Sequence, residues 1–228
     1  MLISMQQASK HYPMGEGRVQ ALDRVDLDIR EGEFISIWGP SGSGKSTLLN
    51  LMGAVDEAST GTVSLAGQDL ALMTDNQRTE LRNRLIGFVF QRYNLIPVLT
   101  AVENVMLPLR IQGIASGPAR KKALDRLAMV GLSTVAGHRP DQMSGGQQQR
   151  VAVARALVTD PPLVLADEPT ANLDSATARE LIDLMHGLNR QHRTTFVFST
   201  HDQRLLERVE RRILLRDGRI QAAGEERS

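Results

Sequence analysis

The sequence predicts an α/β fold with a mainly parallel sheet, a small antiparallel β subdomain and an inserted α-helical subdomain. Three short apolar runs carry this prediction: FISIWG (34–39), PLVLAD (162–167) and TTFVFST (194–200). Each run precedes a polar or glycine-rich turn and then a helical pattern, which is typical of a strand, a loop and a helix in succession. Because the runs are apolar throughout, we expect buried parallel strands, and ligands gather at the carboxyl ends of such strands.

The antiparallel subdomain is predicted from the first thirty residues and from residues 61–70. Both segments alternate apolar and polar side chains and contain turn signals, as half-buried strands do. Asp217-Gly218 lies between two alternating runs within 211–224, which predicts a β-hairpin.

The helical subdomain is predicted from a mostly helical pattern between residues 73 and 158. Segments 75–85 and 118–132 place apolar residues at helical spacing, and Pro118 stands near the start of the second segment, where proline is well tolerated.

The length of 228 residues and the hydrophobic content of 41% allow one domain that carries a subdomain. We expect a single domain over 1–228, with the α/β core at 1–90 and 159–228 and the helical subdomain at 91–158.

The charge and the residue usage exclude several classes of protein. The net charge is +1, from 27 basic and 26 acidic residues, which argues against nucleic acid as a partner. No cysteine is present, so disulfides and thiolate metal sites are excluded. The first residues show no secretory pattern, and no apolar run approaches the roughly 18 residues of a membrane span. We therefore expect a soluble intracellular chain.

The strongest motif is GPSGSGKST, which follows the first apolar run and matches G-x-x-x-x-G-K-[ST]. A strand before it and a helix after it are the context that a phosphate-binding P-loop requires. The glycines let backbone N–H groups wrap phosphates, and the helix adds its partial positive charge. We expect Lys45 to reach the β- and γ-phosphates, Ser46 to bind Mg²⁺, and Thr47 to lie near the α-phosphate. The predicted nucleotide-binding residues of this loop are Gly39, Pro40, Ser41, Gly42, Ser43, Gly44, Lys45, Ser46 and Thr47.

Two acids and a histidine follow the other core strands. Asp167 and Glu168 end the second apolar run, and His201 ends the third. In a P-loop protein the strand-terminal Asp167 suits the Mg²⁺ shell, and Glu168 suits the general base for the attacking water. His201 can hold that water in line as an N–H donor. The alternatives are a solvated acidic turn before Pro169 and a packed or surface histidine.

The segment MSGGQQQR (143–150) indicates a second anion site, because a serine and two glycines precede a run of good helix formers. The structural alternative is a capping box of Ser144 with Gln147 that starts a helix. Such a cap by itself explains neither Gly145 nor Gly146.

Taken in order, GPSGSGKST, MSGGQQQR, LVLADEP, NLD and STHD resemble the motifs of the ATP-binding-cassette ATPases, over about residues 2–222. The resemblance implies a RecA-like P-loop NTPase core. It also implies that two protomers pack head to tail around two MgATP. Ser144, Gly145 and Gly146 would then face the ATP that is held by the P-loop of the other protomer.

Further roles come from the resemblance alone. Gln91 in FVFQRYNL falls where the family has the glutamine that senses Mg²⁺ and the attacking water and couples to the membrane subunit. Asp174 in ANLD matches the segment that crosses between the two active sites. Tyr12 in KHYPM matches the aromatic residue that stacks on adenine. For Gln91 and Tyr12, the alternatives are a polar strand end and a packed strand residue.

Residues 11–29 and 89–109 resemble one branch of that family, which contains the ATPases of lipoprotein release, of macrolide and peptide export, and of a cell-division complex. This likeness implies an ATPase subunit that drives a separate membrane permease from the cytoplasmic side of the bacterial inner membrane. The alternative is a regulatory ATPase that signals across the membrane without transport. A small-molecule kinase would not explain MSGGQQQR.

Overall fold

The computed structural model describes residues 1–15 and 17–221, without the side chains of residues 203 and 204. Short 3₁₀ helices lie at Leu70–Leu72, Ser133–Val135, Pro140–Gln142 and Gln203–Arg208. The helices and strands are β1 (Ile3–Met14), β2 (Gly17–Ile29), β3 (Phe34–Trp38), α1 (Lys45–Met52), β4 (Thr60–Leu65), β5 (Gln68–Asp69), α2 (Asp75–Leu85), β6 (Ile86–Val89), α3 (Ala101–Ile111), α4 (Ser116–Met129), α5 (Gly145–Leu157), β7 (Leu163–Ala166), α6 (Ser175–His192), β8 (Thr195–Thr200), β9 (Arg211–Arg216) and β10 (Arg219–Ile220).

The central sheet has the order β10-β9-β3-β8-β7-β6. Strands β9, β3, β8, β7 and β6 are parallel, and β10 returns antiparallel to β9. The three predicted apolar strands are β3, β7 and β8, and they are neighbours in this sheet. The predicted hairpin joins β9 to β10, and both turn residues, Asp217 and Gly218, have a positive φ, as the favoured two-residue hairpin turn requires. The part of the hairpin prediction beyond residue 221 lies outside the described residues.

Both faces of the central sheet are covered, which explains why its strands are apolar throughout. Phe34 of β3 and Phe196 of β8 belong to a core shared with α5 and α6. The next residue of each strand, Ile35 and Val197, belongs to a second core shared with α1 and the antiparallel strands. The successive residues of a strand therefore enter different cores.

The predicted antiparallel subdomain is present as a sheet of order β2-β1-β4-β5. Its apolar residues, such as Ile3 of β1, Ile29 of β2 and Leu65 of β4, are fully buried and pack in the core that contains Ile35. The alternating apolar and polar side chains of the sequence therefore face this core and the solvent in turn.

Helices α3, α4 and α5 pack on one another between residues 101 and 157. Pro118 is the third residue of α4, as expected from its place near the start of the pattern. The mostly helical interval 73–158 also contains β6, which forms an edge of the central sheet. The division of the chain at residues 91 and 158 stays our proposal. Throughout the described residues, no helix combines the length and the apolarity needed to span a bilayer.

Candidate functional site

The glycine-rich loop joins the carboxyl end of β3 to α1, and two of its glycines are sterically required. Gly44 precedes α1 with a φ of 101°, and a Cβ there would lie 2.4 Å from the carbonyl oxygen of Ala21. A Cβ at Gly39 would lie 2.0 Å from the carbonyl oxygen of Leu215. Only glycine therefore fits where this loop passes β2 and β9.

The backbone of this loop has donors to spare. Helix α1 has no side-chain cap, so its first N–H groups lack an intrahelical partner. In the described part of the chain, no hydrogen bond uses the N–H of Gly42 or Gly44. Lys45 is 5% exposed, and its Nζ donates to the carbonyl oxygens of Gly39 and Pro40, each at 3.0 Å. Free N–H groups at a helix N-terminus beside a buried ammonium group suit a phosphate chain.

Asp167 and Glu168 follow β7 and are fixed by Ser199 of the neighbouring strand β8. The Ser199 hydroxyl donates to Oδ1 of Asp167 at 2.7 Å, and the Glu168 N–H donates to the same hydroxyl at 2.8 Å. Glu168 has a φ of 44°, a strained value for a non-glycine residue. The Ser199 bridge helps to hold this conformation, which turns the Glu168 side chain out of the line of the strand.

The loop lysine, the glutamate and the histidine converge at one edge of the sheet. Oε1 of Glu168 lies 3.8 Å from Nζ of Lys45 and 3.3 Å from Nδ1 of His201. The Glu168 side chain is 22% exposed and that of His201 is 60% exposed. A cavity of about 150 Å³ opens beside Glu168 and His201 and is also lined by Thr170 and Thr200. A carboxylate near a phosphate-binding lysine, with a histidine beside it, can accept a proton from a water molecule placed there.

Gln91 lies at the same edge, on the exposed segment that follows β6. Val89 pairs with Ala166 in the register of β6 and β7, and the Asp167 N–H donates to the Val89 carbonyl oxygen. The backbone carbonyl oxygen of Gln91 accepts a hydrogen bond from Asn172 at 2.8 Å. Gln91 and Asp167 therefore follow neighbouring strand ends, whereas Ser46 lies in the first turn of α1.

Tyr12 lies beside the start of α1, at the end of β1. Its hydroxyl group donates to Oδ2 of Asp56 at 2.7 Å, and Nζ of Lys10 lies 5.0 Å from the centre of its ring. Burial and the hydrogen bond to Asp56 raise the pKa of Tyr12, and a hydrogen bond with Thr47 acts in the opposite direction. The contact with Thr47 joins the tyrosine to the glycine-rich loop.

At the start of α5, the predicted capping box of Ser144 and Gln147 is present. The Gln147 N–H donates to Oγ of Ser144 at 3.2 Å, and the Ser144 N–H donates to Oε1 of Gln147 at 2.9 Å. The two glycines, unexplained by a cap, have contacts of their own within the chain. A Cβ at Gly145 would lie 2.8 Å from the Tyr93 hydroxyl, and one at Gly146 would lie 2.6 Å from a methyl carbon of Thr177. Neither contact could be predicted from the sequence, because the partners are distant along the chain.

Asp174 caps α6. Its Oδ1 accepts from the N–H groups of Ala176 and Thr177 at 2.9 and 3.0 Å, and its Oδ2 accepts from the Thr177 hydroxyl at 2.6 Å. The Thr177 hydroxyl is the main cause of a lowered pKa at Asp174. The cap was readable from the sequence, because Asp174 directly precedes a helical pattern.

Sequence reasoning also missed the residues that support the site: Ser199, Asn172 and Asp56. Ser199 and Asn172 begin the matched segments STHD and NLD, but the motifs do not reveal their contacts, because each of the three residues acts on a residue at least 31 positions away. The polar end of an otherwise apolar strand, FVFST, also pointed to Ser199.

A glycine-rich phosphate loop, an uncapped helix N-terminus and a strand-end acid pair define this chain as a P-loop ATPase. The family described as ABC transporter matches residues 22–171, and the chain belongs to that family. It is an ATP-binding and ATP-hydrolysing cassette.

Three comparisons specify the likeness. The lipoprotein-releasing system ATP-binding protein LolD of Legionella pneumophila (strain Paris) is 48% identical over 222 residues, which are 97% of this chain and 98% of that protein. The macrolide export ATP-binding/permease protein MacB of Hyphomonas neptunium is 45% identical over 99% of this chain but only 36% of its own length. The dimeric structure of the ATP-binding cassette MJ0796, bound to ADP and Pi in a post-hydrolysis state, has a TM-score of 0.89 and 46% identity, with 96% of both chains covered.

Proposed function

We propose that two copies of this chain close head to tail around two MgATP, hydrolyse them, and drive a separate membrane permease from the cytoplasmic side of a bacterial inner membrane. The observation that carries the proposal is the convergence of Lys45, Glu168 and His201 next to the uncapped start of α1. Together these groups provide a phosphate cradle, a proton acceptor and a donor at one edge of the sheet.

The glycine-rich loop binds the phosphates in this proposal. The N–H groups from Ser41 to Thr47 surround the phosphate oxygens, and Lys45 donates to the β- and γ-phosphates. Tyr12 stacks on the adenine, in a ring position fixed by Asp56 and Lys10. The interaction between Tyr12 and Thr47 is consistent with one nucleotide that spans both.

The residues present also fit a magnesium ion. Hydroxyl, carboxylate and amide oxygens are suitable ligands, and protein sites for Mg²⁺ use one or two carboxylates together with substrate phosphates. Ser46, Asp167 and Gln91 are the residues that would hold the ion, with Asp167 oriented by Ser199. When bound, Mg²⁺ supplies positive charge to the β- and γ-phosphate oxygens.

Hydrolysis then needs only one water molecule. The water oxygen forms a bond to the γ-phosphorus while the bond from that phosphorus to the β–γ bridging oxygen breaks, which releases ADP and phosphate. Glu168 accepts the proton of the water, and His201 donates to the γ-phosphate and keeps the water in line. Lys45 stabilises the charge that develops on the γ-phosphate oxygens.

The start of α5 acts in the second copy. Ser144 with the N–H groups of Gly145 and Gly146 presents a helix N-terminus to the γ-phosphate held by the partner, and the segment at Asp174 crosses between the two sites. The dimeric state of the MJ0796 cassette supports this arrangement.

An apolar groove supports the permease as a partner. The groove has a volume of about 350 Å³ and is lined by Phe88, Phe90, Leu107, Pro108 and Ile111, among others. Phe90 is 38% exposed and Ile111 is 69% exposed. We assign to it a short helix of the permease, because the groove borders the segment that carries Gln91 and because MacB joins a permease to a matching cassette. The names LolD and MacB favour lipoprotein release or export as the transport process that ATP hydrolysis drives.

The test uses the Glu168→Gln variant with MgATP, which should bind nucleotide but remain in the closed dimer. We expect light scattering to show the mass of two 25.1 kDa chains with ATP and of one chain with ADP. Loss of the general base should lower kcat by about 10² to 10⁴. The control is Glu180→Gln, because Glu180 is an exposed glutamate on α6 that pairs with Arg150. Residual turnover within about tenfold of wild type would exclude Glu168 as the base.

The same loaded variant, incubated with mildly solubilised membranes, tests the partner. Recovery of a permease with two copies of the chain supports transport, and stimulation of turnover by transported substrate would separate transport from signalling. An ATP-dependent dimer recovered without any membrane protein would contradict the permease assignment and leave the ATPase mechanism intact.

A further inference from the structure

Arg155, near the end of α5, holds the segment that carries Gln91. One guanidinium nitrogen donates to the carbonyl oxygen of Asn94 at 2.5 Å and the other to that of Tyr93 at 2.8 Å. Both acceptors belong to the irregular segment between β6 and α3. The contacts therefore join α5 to the backbone two and three residues beyond Gln91.

The environment of Arg155 is unusual for an arginine. Its side chain is partly buried, and burial lowers its pKa. None of the ion pairs formed by the described residues involves Arg155. A desolvated guanidinium group without a carboxylate partner is energetically costly unless its N–H donors form hydrogen bonds. Here the carbonyl oxygens of Tyr93 and Asn94 accept from two of these donors.

The backbone that Arg155 holds is strained. Tyr93 and Asn94 have φ values of 60° and 47°, and two consecutive non-glycine residues in the left-handed region persist only where the surroundings fix them. Side chains from α5 and from the loop after β7 hold the same segment: Gln149 donates to the Phe90 carbonyl oxygen at 3.4 Å, and Asn172 to that of Gln91. Among these side-chain donations, the two from Arg155 are the ones made to the strained residues themselves.

Arg155 also faces the apolar groove. Arg155 and Asn94 both line it, together with Phe90 and Pro108. Arg155 is therefore a common neighbour of the groove and of the backbone beside Gln91.

We infer that Arg155 is a positioning residue: its two hydrogen bonds keep Gln91 in place for hydrolysis. The inference rests on the role in hydrolysis that is proposed above for Gln91. It is tested without the permease.

The first test compares Arg155→Met and Arg155→Lys with wild type. Methionine keeps the apolar stem without donors, and lysine offers one ammonium group for two carbonyl groups. We expect Arg155→Met to lower kcat at least about tenfold with KM for ATP within about twofold, because orientation and not nucleotide binding is lost. Arg155→Lys should give an intermediate kcat.

The second test is a double-mutant cycle with Gln91→Ala. If Arg155 acts through Gln91, the double variant Arg155→Met/Gln91→Ala should have a kcat within about twofold of Gln91→Ala. Effects that multiply would overturn the inference, because a structural role for Arg155 would lower kcat whether or not Gln91 is present.

The third readout is amide hydrogen exchange, which needs no activity. Arg155→Met should speed exchange in residues 90–95 while β3, β7 and β8 keep their protection. The matched control is Arg126→Met on α4, which removes a partly buried arginine that binds Asp160 and not this segment. Unchanged exchange at 90–95 would overturn the inference.

If exchange rises but Glu168→Gln forms no ATP-dependent dimer, the proposed function fails and the role of Arg155 in holding the segment stands.

Discussion

The N-termini of α1 and α5 look alike in sequence but are built differently. Serine and glycine stand at both helix starts, yet α1 begins after Gly44 in a left-handed conformation without any side-chain cap. Helix α5 begins after Ser144 in an extended conformation, and Gln147 completes a capping box. One helix end leaves its N–H groups for a ligand, and the other satisfies part of them from its own side chains.

The difference separates two kinds of anion site. The start of α1 is enclosed by β2 and β9 through Gly44 and Gly39, and it depends on phosphate to satisfy its donors. The start of α5 is stable within one chain, with Ser144 exposed, and it can be offered to a second copy. In the proposed dimer the start of α5 acts only after dimerisation, so it has to be stable before the ligand arrives, and the cap provides that stability.

Lys45→Met should give the largest effect on nucleotide affinity and tests whether the α1 site binds ATP on its own. Hydrogen bonds to charged groups contribute about 1.5 to 3 kcal/mol, so Kd for ATP should rise roughly 10- to 150-fold. Titration calorimetry on the nucleotide-free monomer measures this change. Lys122→Met is the control, because Lys122 pairs with Asp160 on the helical part. An unchanged Kd in a variant with wild-type circular dichroism would remove Lys45 from the site.

Ser144→Arg tests the other helix end and should act only on the dimer. The exposed position accepts a long side chain within one chain, but the added bulk would lie at the γ-phosphate of the partner. In the Glu168→Gln background, we expect the Kd for ATP to stay within about twofold. The dissociation constant of the ATP-dependent dimer should rise at least about tenfold, because a new clash opposes closure.

The matched control for this variant is Thr74→Arg. Thr74 caps α2 with Gln77 in the same kind of capping box, so Thr74→Arg loses an equivalent cap elsewhere. A normal ATP-dependent dimer from Ser144→Arg, or an equal loss from Thr74→Arg, would rule out the assignment of α5 to the partner's nucleotide.

The sequence predicted what depends on neighbours along the chain. The apolar strands, the Asp217-Gly218 turn and the capping box of Ser144 are local patterns, and all are present. The contacts that would crowd a side chain at Gly145 or Gly146 could not be predicted, because they come from Tyr93 and Thr177 on other elements. The same holds for Ser199 at Asp167 and for Arg155 at Tyr93. The roles assigned to all of the site residues, including Lys45, Glu168 and Gln91, stay predictions.

The smallest expected effect is on the free energy of unfolding of the nucleotide-free chain, compared between variants of Ser144 and Ser46. Ser144→Ala removes a helix cap and should lower the free energy of unfolding by about 1 kcal/mol. Ser46→Ala should change it by no more than about 0.5 kcal/mol, because the Ser46 side chain caps nothing. Urea unfolding measures both values. With MgATP present, Ser46→Ala should become the less stable of the two variants. Only Ser46→Ala weakens nucleotide binding to the folded monomer and so reduces the stabilisation by the ligand. A loss at Ser46 equal to that at Ser144 without nucleotide would mean that α1 is capped by its own serine, and the two helix ends would then be alike.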